Sequence, residues 1–321
     1  MVPRISVGLP VYNGEAYLRR TLESLLTQDF ESFELIISDN ASTDATEPIC
    51  REFAARDNRI AYSRNPTNIG ATANYIRVFH LARAPFFKWA SHDDEFHPSL
   101  LRRCLETLEA APPSTVLAYP RCAIIDEAGR IVEPSPDTVR ASPEPHSRLA
   151  SLMFHAKYAH PLWGLLRSEA LRRTRLMQTF EADHILLAEL ALLGEIVEVP
   201  AVLHRMRRRR DAPIYQYTDR ELLLWHDPNA VPPRLLLPRW VRLQAHYCKA
   251  IRHVPLPLVE RLLCYGAVPA VPCWRMLLRR TGRVRHRLGL YRHRVRATDT
   301  TDTAFIPRAS APAVRESSGR R

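Results

Sequence analysis

Four times within the first 110 residues, a short apolar run rich in β-branched and aromatic side chains gives way to a segment of helical period. The pairs are Ile5–Leu9 with Tyr17–Gln28, Phe33–Ser38 with Asp44–Arg56, Ile60–Arg64 with Ala71–Leu81, and Phe86–Ala90 with Pro98–Ala110. Strands that each feed a helix return through crossovers. Alternation of this kind therefore predicts an α/β fold, Rossmann-like, with a mostly parallel sheet and helices on both faces. Chemical signals mark the helix starts: Thr43-Asp44 precedes the second helix, and Pro98 sits in the first turn of the fourth, where a missing N–H is harmless.

Further on, Val116–Ile125 reads as a strand and Asp126–Gly129 as a turn into Arg130–Val132, while Glu133–Ser147, rich in Pro and Ser, reads as a mobile loop. Leu162–Leu166 is strand-like, Asp183–Leu193 is a strongly apolar helix, and Ile196–Val199 and Val202–Met206 have the pattern of edge strands. Beyond Asp211 the alternation stops. Tyr217–His226, Leu235–Arg252 and Leu256–Arg280 read as helices, and Thr298–Arg321 has the composition of a disordered tail. The expected organisation is an α/β domain over 1–210, with halves of about 1–111 and 112–210, then a helical basic extension over 211–297 and a tail over 298–321. No internal repeat is present.

The formal net charge is +12, carried almost entirely by arginine and concentrated towards the C-terminus. A basic surface suits nucleic acid, anionic lipid or a phosphorylated substrate, and composition does not choose among them. Basic runs without interleaved aromatic platforms make no nucleic-acid module, so no nucleic-acid partner is expected. Met1–Val11 lacks the apolar core and cleavage site of a signal peptide, which predicts a cytoplasmic chain. Six scattered cysteines without metal-site spacing predict free, buried thiols. The longest apolar stretch, Leu262–Leu278, is broken by Pro269, Pro272 and Arg275, and reads as a helical hairpin, either buried or lying on a membrane surface.

In an open parallel sheet, ligands bind outside the carboxyl ends of the strands. The residues that follow the four strands are Pro10-Val11-Tyr12-Asn13-Gly14-Glu15, Ser38-Asp39-Asn40-Ala41-Ser42-Thr43-Asp44, Asn65-Pro66-Thr67-Asn68-Ile69-Gly70 and Ser91-His92-Asp93-Asp94. They predict a site for a small polar ligand at one edge. Two adjacent carboxylates repel unless a cation or a donor network holds them. Either Asp93 and Asp94 hold Mg2+ or Mn2+ beside substrate phosphates, or Asp93 caps the next helix and Asp94 is solvated. With Ser42, Thr43 or Asp44 as helix cap, Asp39 is left to accept hydrogen bonds from a base or a ribose.

The order and spacing of Pro10–Asn13, Ser38–Asp44, Asn68–Gly70 and His92–Asp94 with Pro98 resemble the family 2 glycosyltransferases, over about residues 3–205. The resemblance implies the GT-A fold and a nucleotide-diphosphate sugar held by Pro10, Val11, Tyr12, Glu15, Asp39, Asn68, Gly70, His92 and Asp93. It also implies Mn2+ or Mg2+ on Asp93 or Asp94. The family's acidic motif is degenerate here, because Ser91 stands where its first Asp falls and Asn40 stands where Asp is frequent. Inverting members use a late carboxylate as general base, and in Glu181-Ala182-Asp183 the better match is Asp183, which is equally placed to cap its helix. His160, Trp163 and His204 fall where such enzymes shape the acceptor pocket, and each is alternatively a core or packing residue.

The activity implied is transfer of a sugar to a hydroxyl acceptor, lipid-linked or saccharide, in cell-surface polysaccharide, glycolipid or secondary-metabolite glycosylation. The Arg-rich helices with Trp225, Trp240 and Trp274 either rest peripherally on an anionic membrane or present ordinary solvated faces. The competing readings are a catalytically degenerate nucleotide-sugar-binding protein, prompted by Ser91 and Asn40, a nucleotidyltransferase, and a nucleic-acid-binding protein. The nucleotidyltransferase would want a Gly-rich opening loop with a basic residue, which Pro10–Glu15 lacks.

Overall fold

The computed structural model describes residues 2–134, 142–155, 159–177, 182–233 and 237–287. In chain order the elements are β1 (Ile5–Val11), α1 (Glu15–Leu26), β2 (Phe33–Asp39), α2 (Thr46–Arg56), β3 (Ile60–Arg64), α3 (Ala71–His80), β4 (Phe86–Trp89), β5 (Glu95–Phe96), α4 (Leu100–Ala110), β6 (Thr115–Ile125) and β7 (Ile131–Pro134). There follow α5 (Pro145–His155), a 3-10 turn (His160–Trp163), β8 (Leu165–Arg167), α6 (Ser168–Arg172), α7 (Ala182–Leu193), β9 (Glu195–Arg207), α8 (Pro213–Gln216), α9 (Asp219–His226), α10 (Arg239–His253) and α11 (Leu258–Arg287).

One sheet runs β3-β2-β1-β4-β8-β6-β9-β5, with β7 against β6. The expected parallel unit is present, because β3, β2, β1 and β4 all run the same way. Every residue of β1 and β2 is buried, as strands covered on both faces require. One core packs α1, α2 and α4 against one face, with Leu18, Leu22, Phe53 and Leu101 among its members. The other packs α3, α5, α7, α10 and α11 against the opposite face, around Phe87, Trp89, Leu186 and Ile251. The order reverses between β1 and β4, which puts the switch point of the sheet between the loops after those two strands.

Four expectations differ from the structure. Ile196–Val199 and Val202–Met206 are one strand, β9, and it is internal, flanked by β6 and β5. Its register slips opposite Pro120 and Arg121, which lets Pro200, with no N–H to give, leave the ladder without ending the strand. The Glu133–Ser147 loop gives way to α5 from Pro145, and α5 buries Leu149, Leu152 and Met153. Leu162–Leu166 divides into the 3-10 turn and the short β8. The proposed hairpin around Leu262–Leu278 is a single helix, α11, with Pro269 and Pro272 inside it. Each proline removes one backbone hydrogen bond, a loss that a long helix packed against α5 and α10 absorbs. The tail over 298–321, Lys157 and Glu181 lie outside the described residues. No described helix is long and apolar enough to cross a membrane.

Candidate functional site

The loops after β1 and β2 are latched together before any ligand arrives. Asn13, in the left-handed region at φ 49°, donates its backbone N–H to Ser42 Oγ at 3.0 Å and accepts from the Thr43 N–H at 2.8 Å. Gly14 donates to Thr46 Oγ1 at 2.8 Å and Glu15 N–H to Asp44 Oδ2 at 3.0 Å. Two expected donor contacts are thereby redirected. The Val11 side chain is in the core and its carbonyl accepts from Asn40 N–H at 2.8 Å, while the Glu15 carboxylate accepts from Ala45 N–H at 2.8 Å, at the start of α2. Pro10 is buried beside them and Tyr12 stands exposed above the edge.

Asp39 is fully buried at the end of β2 and is not the free acceptor the sequence suggests. Its Oδ1 takes the Ser42 N–H at 2.9 Å, and its Oδ2 takes the Tyr62 hydroxyl at 3.0 Å and Arg64 Nη1 at 2.6 Å. Burial, and then the Asp39 carboxylate, push the Tyr62 phenol upwards, so it stays protonated and donates. A carboxylate has about four lone-pair directions, which leaves Asp39 little beyond these three partners unless Arg64 swings away.

Asn40 explains a departure from the family pattern. Its amide donates to Asn68 Oδ1 at 2.8 Å and to the Gly70 carbonyl at 3.3 Å, and its Oδ1 accepts from Asn65 and from Ile69 N–H, each at 3.0 Å. A carboxylate in its place has no donor for Asn68. Asn68 and Gly70 are therefore parts of the loop's own scaffold. Gly70 has φ +86°, and a Cβ there would lie 2.5 Å from the His226 carbonyl, so glycine lets the end of α9 dock on this loop.

The adjacent Asp93 and Asp94 diverge. Asp94 turns inward, where His204 Nε2 lies 2.8 Å from its Oδ2 and Arg207 N–H donates to its Oδ1 at 2.9 Å. Burial, and then the neighbouring Asp93, hold the Asp94 carboxyl well above its ordinary range, and burial holds the His204 imidazole well below. His204 is 2% exposed and stacked on Phe96, so it belongs to the core and not to an acceptor pocket. Arg207 completes the knot. It pairs with Glu95 at 2.6 Å and donates to the Asp93 carbonyl at 2.9 Å and the Asp126 carbonyl at 2.8 Å. Both Asp94 oxygens are thus engaged within the protein.

Asp93 faces the edge. Ser91 Oγ donates to its Oδ1, and Arg209 Nε lies 3.3 Å from its Oδ2. His92 lies against Gly14, its Nε2 is 3.4 Å from Arg209 Nη1, and burial holds its imidazole below the ordinary value. Among the described residues no group of three or more His, Cys, Asp or Glu is gathered into a metal cage. One carboxylate and a hydroxyl at the switch point do suit a hard cation that draws its other ligands from a diphosphate.

Asp183 opens α7 at the same edge. Its Oδ1 accepts from the next N–H, His184, at 2.8 Å, and it is only partly buried. Asp93, Asp94 and Asp183 all act on the Tyr75 phenol, whose pKa is raised first by burial and then by these charges. Asp183 also acts on His226. Trp163 meets Tyr75 edge-on at 6.1 Å, whereas His160 is buried in the turn. Beside this edge a cavity of about 1100 Å3 lies between the Asn68 loop with α3 and the helices α9 and α10, bordered by Asn68, Thr72, His226 and His246.

Sequence reading missed Tyr62, Arg64, Tyr75 and Arg209. Arg64 carried a usable signal, since it ends β3 in register with Asp39. Arg209 and Tyr75 carried none, because their partners are set by the fold.

A Rossmann-like sheet with two latched strand-end loops and a carboxylate at the switch point has the GT-A architecture. Residues 6–173, more than half of the chain, match the family described as glycosyl transferase family 2, and the chain belongs to that family. The fold is similar to that of residues 1–349 of S. aureus TarS solved in complex with UDP-GlcNAc, with a TM-score of 0.58 at 17% identity over 83% of this chain and 71% of that one. In sequence the chain is 28% identical over 125 residues to an uncharacterised glycosyltransferase of Rickettsia typhi, over 39% of this chain and 38% of that one. It is 46% identical over 59 residues to glycosyltransferase GlyA of Streptococcus pneumoniae, over 18% of this chain and 8% of that one. Both matches span less than half of the relative's length.

Proposed function

We propose that the chain moves a hexosyl group from a nucleotide-diphosphate sugar to a hydroxyl acceptor with inversion. What supports this reading is the Asp93 carboxylate at the switch point of a GT-A sheet in a chain that belongs to family 2; Asp183, opening α7, joins Asp93 in raising the Tyr75 phenol. Tyr12, Asp39 and Arg64 line the nucleoside end, and Pro10 and His92 shape the floor. Asp93 would hold Mn2+ or Mg2+, and the ion would neutralise charge on the departing diphosphate. Asp183 takes the proton of the acceptor hydroxyl. The oxygen then bonds to the anomeric carbon on the face opposite the donor oxygen, whose bond breaks with its electron pair leaving on the nucleoside diphosphate.

The division of labour is a donor half over about 1–111, an acceptor half over 112–210 and a helical extension over 211–297. The acceptor class is a cell-surface saccharide, a glycolipid or another hydroxyl metabolite. Peripheral membrane association is supported by α11, whose exposed Leu258, Val259, Leu262 and Leu263 form an apolar stripe. In a flotation assay, anionic liposomes should carry the whole chain upward and leave behind a Leu258→Ser/Leu262→Ser variant.

Thermal stability in the presence of nucleoside diphosphates and their sugars, with Mn2+, Mg2+ or a chelator, tests the donor site. A ligand at ~100 times its Kd adds about 2.7 kcal/mol. A metal-dependent shift with one base, lost in Asp93→Asn, supports the reading, and no shift with any donor rejects it. A second reading, a nucleotide-sugar binder without turnover, is favoured by Ser91 and by the arginines seated on Asp39 and Asp93. That protein would show the shift, while Asp183→Asn would have no turnover to lose.

A further inference from the structure

The donor edge does not fix the chemistry of the acceptor, but α10 bears on it. Its apolar residues Tyr247, Ala250 and Ile251 face the core. Arg242, His246, Lys249 and His253 recur at helical spacing along another side. Arg242 and His246 border the cavity of about 1100 Å3. Further along the same helix lies a hollow of about 350 Å3 lined by Arg175, Lys249, Arg252 and His253, without a carboxylate.

These cations crowd one another. Burial, then Lys249, Arg175 and Arg242, hold the His246 imidazole below its ordinary value. Two members are answered, Arg242 by Asp219 at 2.7 Å and Arg175 by Glu189 at 2.5 Å. Even so, Arg175 Nη2 and His246 Nδ1 are buried with no hydrogen-bond partner. No ion pair or hydrogen bond among the described residues engages Lys249, Arg252 or His253. Elsewhere surface arginines do find carboxylates, as Arg19 does with Glu52, Arg51 with Glu47 and Arg102 with Asp29. Within this hollow the charge of Lys249, Arg252 and His253 meets no carboxylate, and a row of like charges is relieved by a multiply charged anion.

We infer that the α10 row is a track for phosphoryl groups, and that the acceptor brought to Asp183 is a phosphate-bearing hydroxyl compound. His226 joins track to base. It borders the large cavity, its Nδ1 lies 3.2 Å from Thr72 Oγ1, and it feels the Asp183 charge. The inference rests on the transferase reading, since only a transferase has an acceptor. The phosphate belongs either to a soluble phosphorylated chain or to a lipid headgroup, and the test separates the two.

Tripolyphosphate, and phospholipid vesicles with and without anionic lipid, are offered to the full chain held with saturating nucleoside diphosphate and Mn2+. Lys249→Gln/Arg252→Gln changes two exposed side chains, so the fold should be kept, as thermal unfolding would verify. Wild type should bind one probe, and the variant should bind it about tenfold or more weakly. Loss confined to tripolyphosphate assigns a soluble source, and loss confined to anionic vesicles assigns a headgroup. Equal binding by variant and wild type, or no binding of either probe by wild type, overturns the inference. Asp93→Asn reports separately. If wild type binds tripolyphosphate through Lys249 and Arg252 but neither wild type nor Asp93→Asn binds nucleotide, the transferase reading fails while the anion track stands.

Discussion

Asp93 and Asp94 are neighbours with opposite duties, and substitution should separate them. Asp93→Asn should abolish metal-dependent nucleotide binding and leave unfolding unchanged. Asp94→Ala strips partners from buried His204 and from the Arg207 N–H, and should cost about 3 kcal/mol in denaturant unfolding. Asp183→Asn should lower kcat by about 10²–10⁴ while leaving donor affinity intact in a binding titration. Lys88 gives a pH signature. It is fully buried in β4, donates to the Trp163 carbonyl, and is held down from 10.5 to about 8, by burial first. Between those values the unfolded chain carries more of this proton than the folded one, so the Lys88 contribution to stability should rise with pH, by up to about 3 kcal/mol near pH 10.5. Cys50, Cys104 and Cys264, pushed up by burial to about 12, 12 and 11, pull the other way over the same range, so the Lys88 effect is read as the difference in denaturant unfolding between wild type and Lys88→Met, which should grow from pH 7 to 10.5. The acidic pair itself was legible from its place after an apolar strand. The inward turn of Asp94 was not, because its partner His204 lies 110 residues away and is delivered by the register of β9.

At the scale of elements, the parallel unit was legible nearly to the residue, because period and punctuation agree there. Ile60–Arg64 is β3 as read, and the helix expected over Ala71–Leu81 is α3 over Ala71–His80. Legibility failed where tertiary packing overrode local signals. Pro200 suggested two strands where a bulge keeps one, and Pro269 with Pro272 suggested a reversal where packing keeps α11 continuous. The Asn68–Gly70 loop shows the same dependence on distant partners, since glycine at 70 serves the approach of α9. Gly70→Ala should lower stability by about 1–3 kcal/mol in chemical denaturation, from its positive φ together with the displaced His226 carbonyl.

At the scale of the molecule, anchorage is uneven. α7 is buried almost all round, with Ile185, Leu186, Leu187 and Leu190 in the core, whereas α8 buries no residue and α9 only Leu222. Amide hydrogen exchange should therefore be fast across Pro213–His226 and slow across α7 and β9, and donor with acceptor should slow the first region most. α7 leads through Gly194 directly into β9, so Asp183 at one end of this hairpin and Arg207 at the other return to the same edge. The turn between them is wedged against β6, since a Cβ on Gly194 would meet the Ser114 carbonyl at 2.1 Å. The carboxylates proposed as base and metal ligand, Asp183 and Asp93, would thereby be held by one hairpin, the second through the Arg207 bond to the Asp93 carbonyl. Their spacing is set when the chain folds. On the proposed transferase reading, turnover would then be paced by admission and release beneath the lightly anchored α8 and α9, not by two lobes closing on the sugar.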